Sequence, residues 1–209
     1  IEWTVTRALR TSRFWWLFTG YFCALYIWYA VQVHQTKFFI ETGFSAEQAA
    51  YALGLVGLTG IVGQIGLGHL SDRIGREWAW TAAGGGYALC YVALLLLPAF
   101  PNALLFYVIV GSQGLLGYGI TSVIGAIPAE LFEGKRFSTI FGMLSISAGL
   151  GASTSPWLTG YFFDRYGNYE FAWWLALALS LVSIFCIWKA APRKVRAVAG
   201  QVAKLTEKP

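Results

Sequence analysis

The sequence predicts an all-α fold, a polytopic membrane protein with six transmembrane helices, and three observations carry that prediction. Of 209 residues, 57% are hydrophobic and 12% are charged, where an ordinary soluble domain carries roughly 25% charged residues. Five stretches, residues 14–36, 48–71, 78–129, 137–163 and 171–188, hold no Asp, Glu, Lys or Arg. The pattern G-x-x-x-D-R-x-G occurs twice, at residues 68–75 and 160–167, 92 positions apart. The first two observations exclude a water-soluble globule. They also exclude a β-barrel, whose strands would alternate apolar and polar residues instead of running continuously apolar.

A helix crosses a bilayer with about 20 apolar residues, so each of the four shorter stretches supplies one span and the longest supplies two. Residues 1–13 form a cytoplasmic lead with Arg7, Arg10 and Arg13. Span one covers 14–36 and opens on Trp15 and Trp16, which suit the membrane interface. Ser45 caps span two, residues 48–71. Within it Gly54, Gly57, Gly60, Gly63 and Gly66 recur every third residue. Three residues turn a helix by about 300°, so this stripe winds around the helix and lets more than one neighbour approach; bringing backbone near a solute is its alternative use. Span three, 78–97, stops at Pro98, and Asn102 opens span four, 103–127, where Gly111, Gly114 and Gly117 repeat the spacing. Span five covers 137–163 and span six 171–188. Residues 14–188 thus form one membrane domain, followed by a basic tail, 189–209. Cys23, Cys90 and Cys186 fall inside spans with no CxxC and no His at ligand spacing, which reads as packing with no metal site.

Charge sets the sidedness. The lead, Arg73, Arg76, Lys135, Arg136 and the tail hold 13 of the 15 Lys and Arg residues, leaving only Lys37 and Arg165 on the other side. The positive-inside rule puts both termini in the cytoplasm. The net charge of +5 is then explained without nucleic acid as a partner, and the tail either meets anionic lipid or is simply solvated.

The duplicated motif joins the second helix of each three-helix set to its third, on opposite sides of the membrane. That is the mark of a 3+3 inverted repeat, with a chance likeness of two charged turns as the alternative. The glycines allow a tight helix end, the Asp caps a helix, and the Arg pairs across an interface.

At Gly68, Asp72, Arg73, Gly75 and Arg76 the chain resembles the major facilitator superfamily, whose loop reads G-x-x-x-D-R-x-G-R-[KR]; Glu77 departs from the last basic position. The resemblance continues through Glu130, Glu133 and Arg136 after span four, and through the Gly- and Pro-bearing span five. It implies one half of a twelve-helix secondary transporter. Val110 stands where the N-terminal half would carry an Arg before Gln113-Gly114. The close Asp164, Gly167, Tyr169, Ala172, Trp173 is similar to the C-terminal half of monocarboxylate and oxalate-formate porter-type members. The expectation is a C-terminal half, and a fragment, since no methionine opens the chain. Its partners would be the lipid bilayer, a small-molecule substrate and a missing N-terminal six-helix half. Its location would be a bacterial inner membrane.

The resemblance implies a cytoplasmic gate built on Gly68, Asp72, Arg73, Gly75, Arg76, Glu130 and Arg136. In it Asp72 caps a helix of the other half and the arginines engage acids or carbonyls. Charges that merely set topology are the alternative. It also implies a cavity lined by spans one and four, with Tyr26, Tyr29, Gln32, Gln113, Tyr118 and Thr121 as candidates, because polar groups in lipid seek water or a partner. Tyr near a span end also serves as an anchor, and Thr bonds its own helix. No charged residue lies within a span; Gln64 is the nearest polar substitute in span two. Anion binding or proton coupling would depend on the other half, or the substrate is neutral. His34 and His69 sit near the ends. No cofactor is implied beyond proton or counter-substrate coupling. An enzyme is disfavoured, since a membrane serine protease needs G-x-S-G and the chain reads Gly111-Ser112-Gln113-Gly114. A half-size homodimer or a structural membrane subunit without independent transport remains the rival reading.

Overall fold

The computed structural model describes residues 3–190 and 192. Six segments in it are long and apolar enough to cross a membrane: Ser12–Glu41, Ala46–Ile74, Arg76–Leu96, Ala103–Leu131, Phe137–Tyr166 and Glu170–Ala190. We number the elements α1 (Val5–Leu9), α2 (Ser12–Glu41), α3 (Ala46–Ile74), α4 (Arg76–Leu96), α5 (Ala103–Gly111), α6 (Ile120–Ile124), α7 (Ala126–Leu131), α8 (Phe137–Tyr166) and α9 (Glu170–Ala190). The tail beyond Pro192 lies outside the described residues.

Helix ends follow local chemistry. Ser45 and Gln48 form a reciprocal capping box at the start of α3 (3.1 and 2.9 Å), and Asn102 caps α5 through the Leu105 N–H (2.9 Å). α2, α3 and α8 run several residues past the limits that charge alone suggested. A formed helix gains one hydrogen bond per added residue whether or not the side chain is apolar, and Lys37 and Glu41 pair along the extended end of α2 (3.7 Å). The lead is partly helical, with Ala8 buried and Trp3 set edge-on to Phe132 at 5.1 Å.

The two copies of the repeated motif end their helices alike. Asp72 and Arg73 ride on the last turn of α3, and Asp164 and Arg165 on that of α8, so the motif is helical rather than a loop until its final glycine. Gly75 (φ 104°) and Gly167 (φ 73°) both take positive φ, where a Cβ would clash. Both donate their N–H to the carbonyl four residues back (3.0 and 2.8 Å).

The sets exchange partners. α2, first of its set, packs chiefly on α8 and α9, whereas the fourth span packs on α3 and α4. Parallel α2 and α8 meet in strict register. Ser147 donates to the Phe18 carbonyl, Gly151 lies against that of Phe22, and Ser155 donates to that of Tyr26 (2.6 Å). Every fourth residue of α8 there is small, so backbone meets backbone. Deeper in, Trp80 of α4 donates to Ser183 of α9 (3.1 Å), which donates to the Gly20 carbonyl of α2 (2.9 Å). The three cysteines are free and buried.

The fourth span is not one helix, contrary to the expectation for 103–127. After α5 comes a π turn, Ser112–Leu116, then a 3-10 turn, Gly117–Gly119, before α6 and α7. Five glycines between positions 111 and 125 lower the cost of leaving α geometry, and Gly114 lies directly against Val56 and Thr59 of α3.

Candidate functional site

The break in the fourth span brings three of the predicted cavity residues together. Gln113 Nε2 donates to Gln32 Oε1 (3.1 Å), and the Tyr118 hydroxyl donates to the same oxygen (3.1 Å). Gln32 lies nine residues from the end of α2 and Gln113 ten from the start of α5. At 1.5 Å per residue both sit about 14–15 Å from the helix end, near the middle of a hydrocarbon core roughly 30 Å thick. Tyr118 reaches Gln32 because its ring lies over Gly60 of α3, where any Cβ would collide with it, and against Trp28 (4.2 Å between centroids).

Two donors on Gln32 Oε1 orient that amide and leave Gln113 Oε1 buried without a hydrogen-bond partner. Gln35, three residues along the same helix, is fully buried with neither amide atom bonded, and the Tyr87 hydroxyl is likewise unpartnered. An unmet buried polar group costs about 1–3 kcal/mol, so these atoms call for water or a polar solute. Gln35, Trp28 and Tyr87 were not among the sequence candidates. The signal for Gln35 was present, as a second amide in an apolar span.

The remaining cavity candidates make no hydrogen bond to Gln32, Gln113 or Tyr118 among the described residues. Tyr26 is buried at the α2–α8 crossing, with its hydroxyl beside that of Thr159. Tyr29 is 39% exposed, close enough to Tyr118 for the two hydroxyls to interact electrostatically. Thr121 is exposed and donates to its own Tyr118 carbonyl (2.7 Å), so its hydroxyl serves its own helix. Gln64 is half-buried.

At the Arg-rich end a second cluster forms. Arg76, its side chain 15% exposed, joins Asp72 (2.7 Å) on the preceding turn to Glu130 (2.9 Å) after the fourth span. It also donates to Ser71. Asp72 is therefore paired inside this chain and ties α3, α4 and α7 together through the arginine. Arg73 and Arg136 are exposed and make no salt bridge among the described residues; Gly68 sits over Ser122 and Gly75 forms the turn.

At the opposite end, His34 bridges the Pro156 carbonyl (Nε2, 3.0 Å) and the Tyr169 hydroxyl (Nδ1, 3.3 Å). A carbonyl only accepts, so Nε2 donates to Pro156. Burial, with Glu41 and Asp164 nearby, pushes the Tyr169 hydroxyl up to about 12. His69 is exposed.

Comparison with known proteins places these features. Monocarboxylate transporter 12 of Rattus norvegicus is 27% identical over 163 residues, 76% of this chain and 32% of that protein. The benzoate transport protein of Acinetobacter baylyi is 25% identical over 185 residues, 87% of this chain and 38% of that protein. The chain thus spans about a third of the length of the curated relatives it matches. A crystal structure of the peptide transporter POT in complex with sulfate shares the fold, with a TM-score of 0.71 over 90% of this chain and 39% of that one, at 19% identity. The model of the Major Facilitator Superfamily matches residues 2–125, through the first motif copy and the broken fourth span, and the chain belongs to that superfamily.

Proposed function

We propose that this chain is the C-terminal six-helix half of a secondary active transporter that moves a small organic solute, a monocarboxylate or related acid, by alternating access without catalysis. The observation that carries the reading is the Gln32–Gln113–Tyr118 cluster at mid-membrane, with the Gln113 carbonyl oxygen left without a donor. A solute hydroxyl, amide or protonated carboxyl would supply one. This half offers hydrogen bonds and no net charge at that depth, so a counter-charge for an anion, and any proton coupling, falls to the N-terminal half.

In this reading Asp72, Arg76 and Glu130 close the cytoplasmic end when the cavity faces outward, and both termini lie in the cytoplasm of a bacterial inner membrane. The exposed faces of α3 and α8 receive the other half; Gly57 and Gly149, with open space where a side chain would stand, lie there. A homodimer of half-size chains is the rival.

The test is uptake of labelled lactate and benzoate into proteoliposomes holding the full-length protein. Saturable uptake that falls with Gln113→Leu supports the reading. Robust uptake unaffected by that change overturns this site.

A further inference from the structure

A second cavity opens at the end of the bundle opposite Arg76, between the end of α4, α2 and the start of α9. Its volume is about 450 Å³, and a neighbouring hollow of about 370 Å³ shares Asn168, Glu170 and Trp174 with it. The walls are apolar: Phe38, Leu94 to Leu96, Pro98 and Trp173. The rim is polar and aromatic, with Glu170 and Asn168 beside Trp174, which is 56% exposed.

Trp173 supplies the independent clue. It is 1% exposed, held edge-on by Phe38 (5.6 Å) and stacked on Tyr169 (5.2 Å), yet its indole N–H is buried with no hydrogen-bond partner. A buried Trp N–H usually finds an acceptor. Trp173 lines this cavity, so a group that enters it can supply that acceptor.

We propose that the cavity holds a membrane phospholipid with a primary ammonium headgroup. The position fits, because Trp and Tyr gather where acyl chains meet headgroups. The charge fits too: among the described residues Glu170 is the only ionised side chain lining either hollow, with no Lys or Arg beside it. The ammonium pairs with the Glu170 carboxylate, an ester or phosphate oxygen accepts from the Trp173 N–H, and an acyl chain lies along Leu94 to Leu96. A headgroup of net negative charge would meet Glu170 with repulsion. This inference does not depend on the identity of the transported solute.

The experiment is native mass spectrometry of the delipidated full-length protein, titrated with phosphatidylethanolamine, phosphatidylcholine and phosphatidylglycerol of matched acyl chains. Phosphatidylethanolamine is expected to bind at least about fivefold more tightly than phosphatidylglycerol. Phosphatidylcholine, which has no ammonium N–H to donate, should fall between. Glu170→Gln, at an exposed position, should remove most of that preference, and Glu133→Gln at the other end should leave it. Trp173→Phe should weaken phosphatidylethanolamine and phosphatidylglycerol alike by losing the donor. Equal binding of all three lipids, or a preference that survives Glu170→Gln, overturns the proposal even if Trp173→Phe does not fold.

Discussion

Gln113 and Tyr118 both donate to one oxygen, the side-chain carbonyl of Gln32, across the gap between the first and fourth spans. They can do so only because the fourth span leaves α geometry between them. In a continuous helix, residues five apart point about 140° away from each other. The π turn and 3-10 turn rotate both side chains toward α2, and π turns recur at functional positions in helices.

Removing this convergence should cost transport before it costs folding. Gln113→Leu deletes one donor and the orphaned acceptor and is expected to lower uptake about tenfold, equivalent to about 1.4 kcal/mol, with normal membrane insertion. Tyr118→Phe should do less, since the ring still packs on Gly60 and Trp28. Uptake kinetics beside a detergent-solubility check separate the two effects, and a Gln113→Leu protein transporting at the parental rate would sink the assignment.

The Arg76 cluster predicts unequal effects from neighbouring charges. Arg76→Ala leaves Glu130, with a side chain only 9% exposed, without its partner and is expected to destabilise by about 3 kcal/mol. Asp72 is 62% exposed, so Asp72→Asn should cost under about 1 kcal/mol. Its transport should nevertheless fall if the cluster is a gate. Thermal melting and uptake measured together decide; unchanged transport in Asp72→Asn would remove the gate and leave a structural clasp.

Glycines should sort by contact. A Cβ on Gly63 would sit 2.5 Å from the Gly114 carbonyl oxygen, and one on Gly151 would collide with the Phe22 carbonyl. Both obstacles are backbone and do not yield. Gly63→Ala and Gly151→Ala are each expected to destabilise by about 1–3 kcal/mol. Gly66→Ala, where a methyl would meet no atom within 4 Å, should be neutral or stabilising in a melting assay. Equal behaviour of the three would contradict the helix crossings described.

At the far end, Tyr169 links stability to alkaline pH. Its pKa is raised, from 10.0 to about 12, so the folded state holds the proton more tightly than the unfolded chain. That contribution is complete below pH 10 and is lost as the pH climbs toward about 12. Tyr169→Phe should flatten this part of the stability profile relative to the parent, and His34→Ala should lower stability by about 1 kcal/mol at neutral pH by freeing the Pro156 carbonyl. Unfolding midpoints at pH 8, 10 and 11.5 provide the check.

Much of the architecture was legible without coordinates. Six spans, their order, the Ser45 cap and the duplicated motif follow from charge-free stretches and spacing, because lipid forces every backbone polar group into helical bonds. Site residues were legible less evenly. Gln32, Gln113 and Tyr118 stand out as costly polar groups in apolar runs, but so do Tyr26, which the fold buries at a helix crossing, Tyr29, which it leaves partly exposed beside Tyr118, and Thr121, which bonds a local carbonyl. The helical face of each residue is set by local twist, and the twist of the fourth span changes at its glycines.

The sequence by itself therefore determined where the chain crosses the membrane and which residues are chemically expensive there, since both follow from the cost of placing charge and unbonded polar groups in hydrocarbon. Which of those residues meet was decided only by the tertiary structure. The exchange of partners between the two helix triplets, the register of Ser147, Gly151 and Ser155 along α2, and the broken fourth span depend on how closely backbones approach. That distance is fixed by side chains from both helices at once, and no single stretch of sequence contains it.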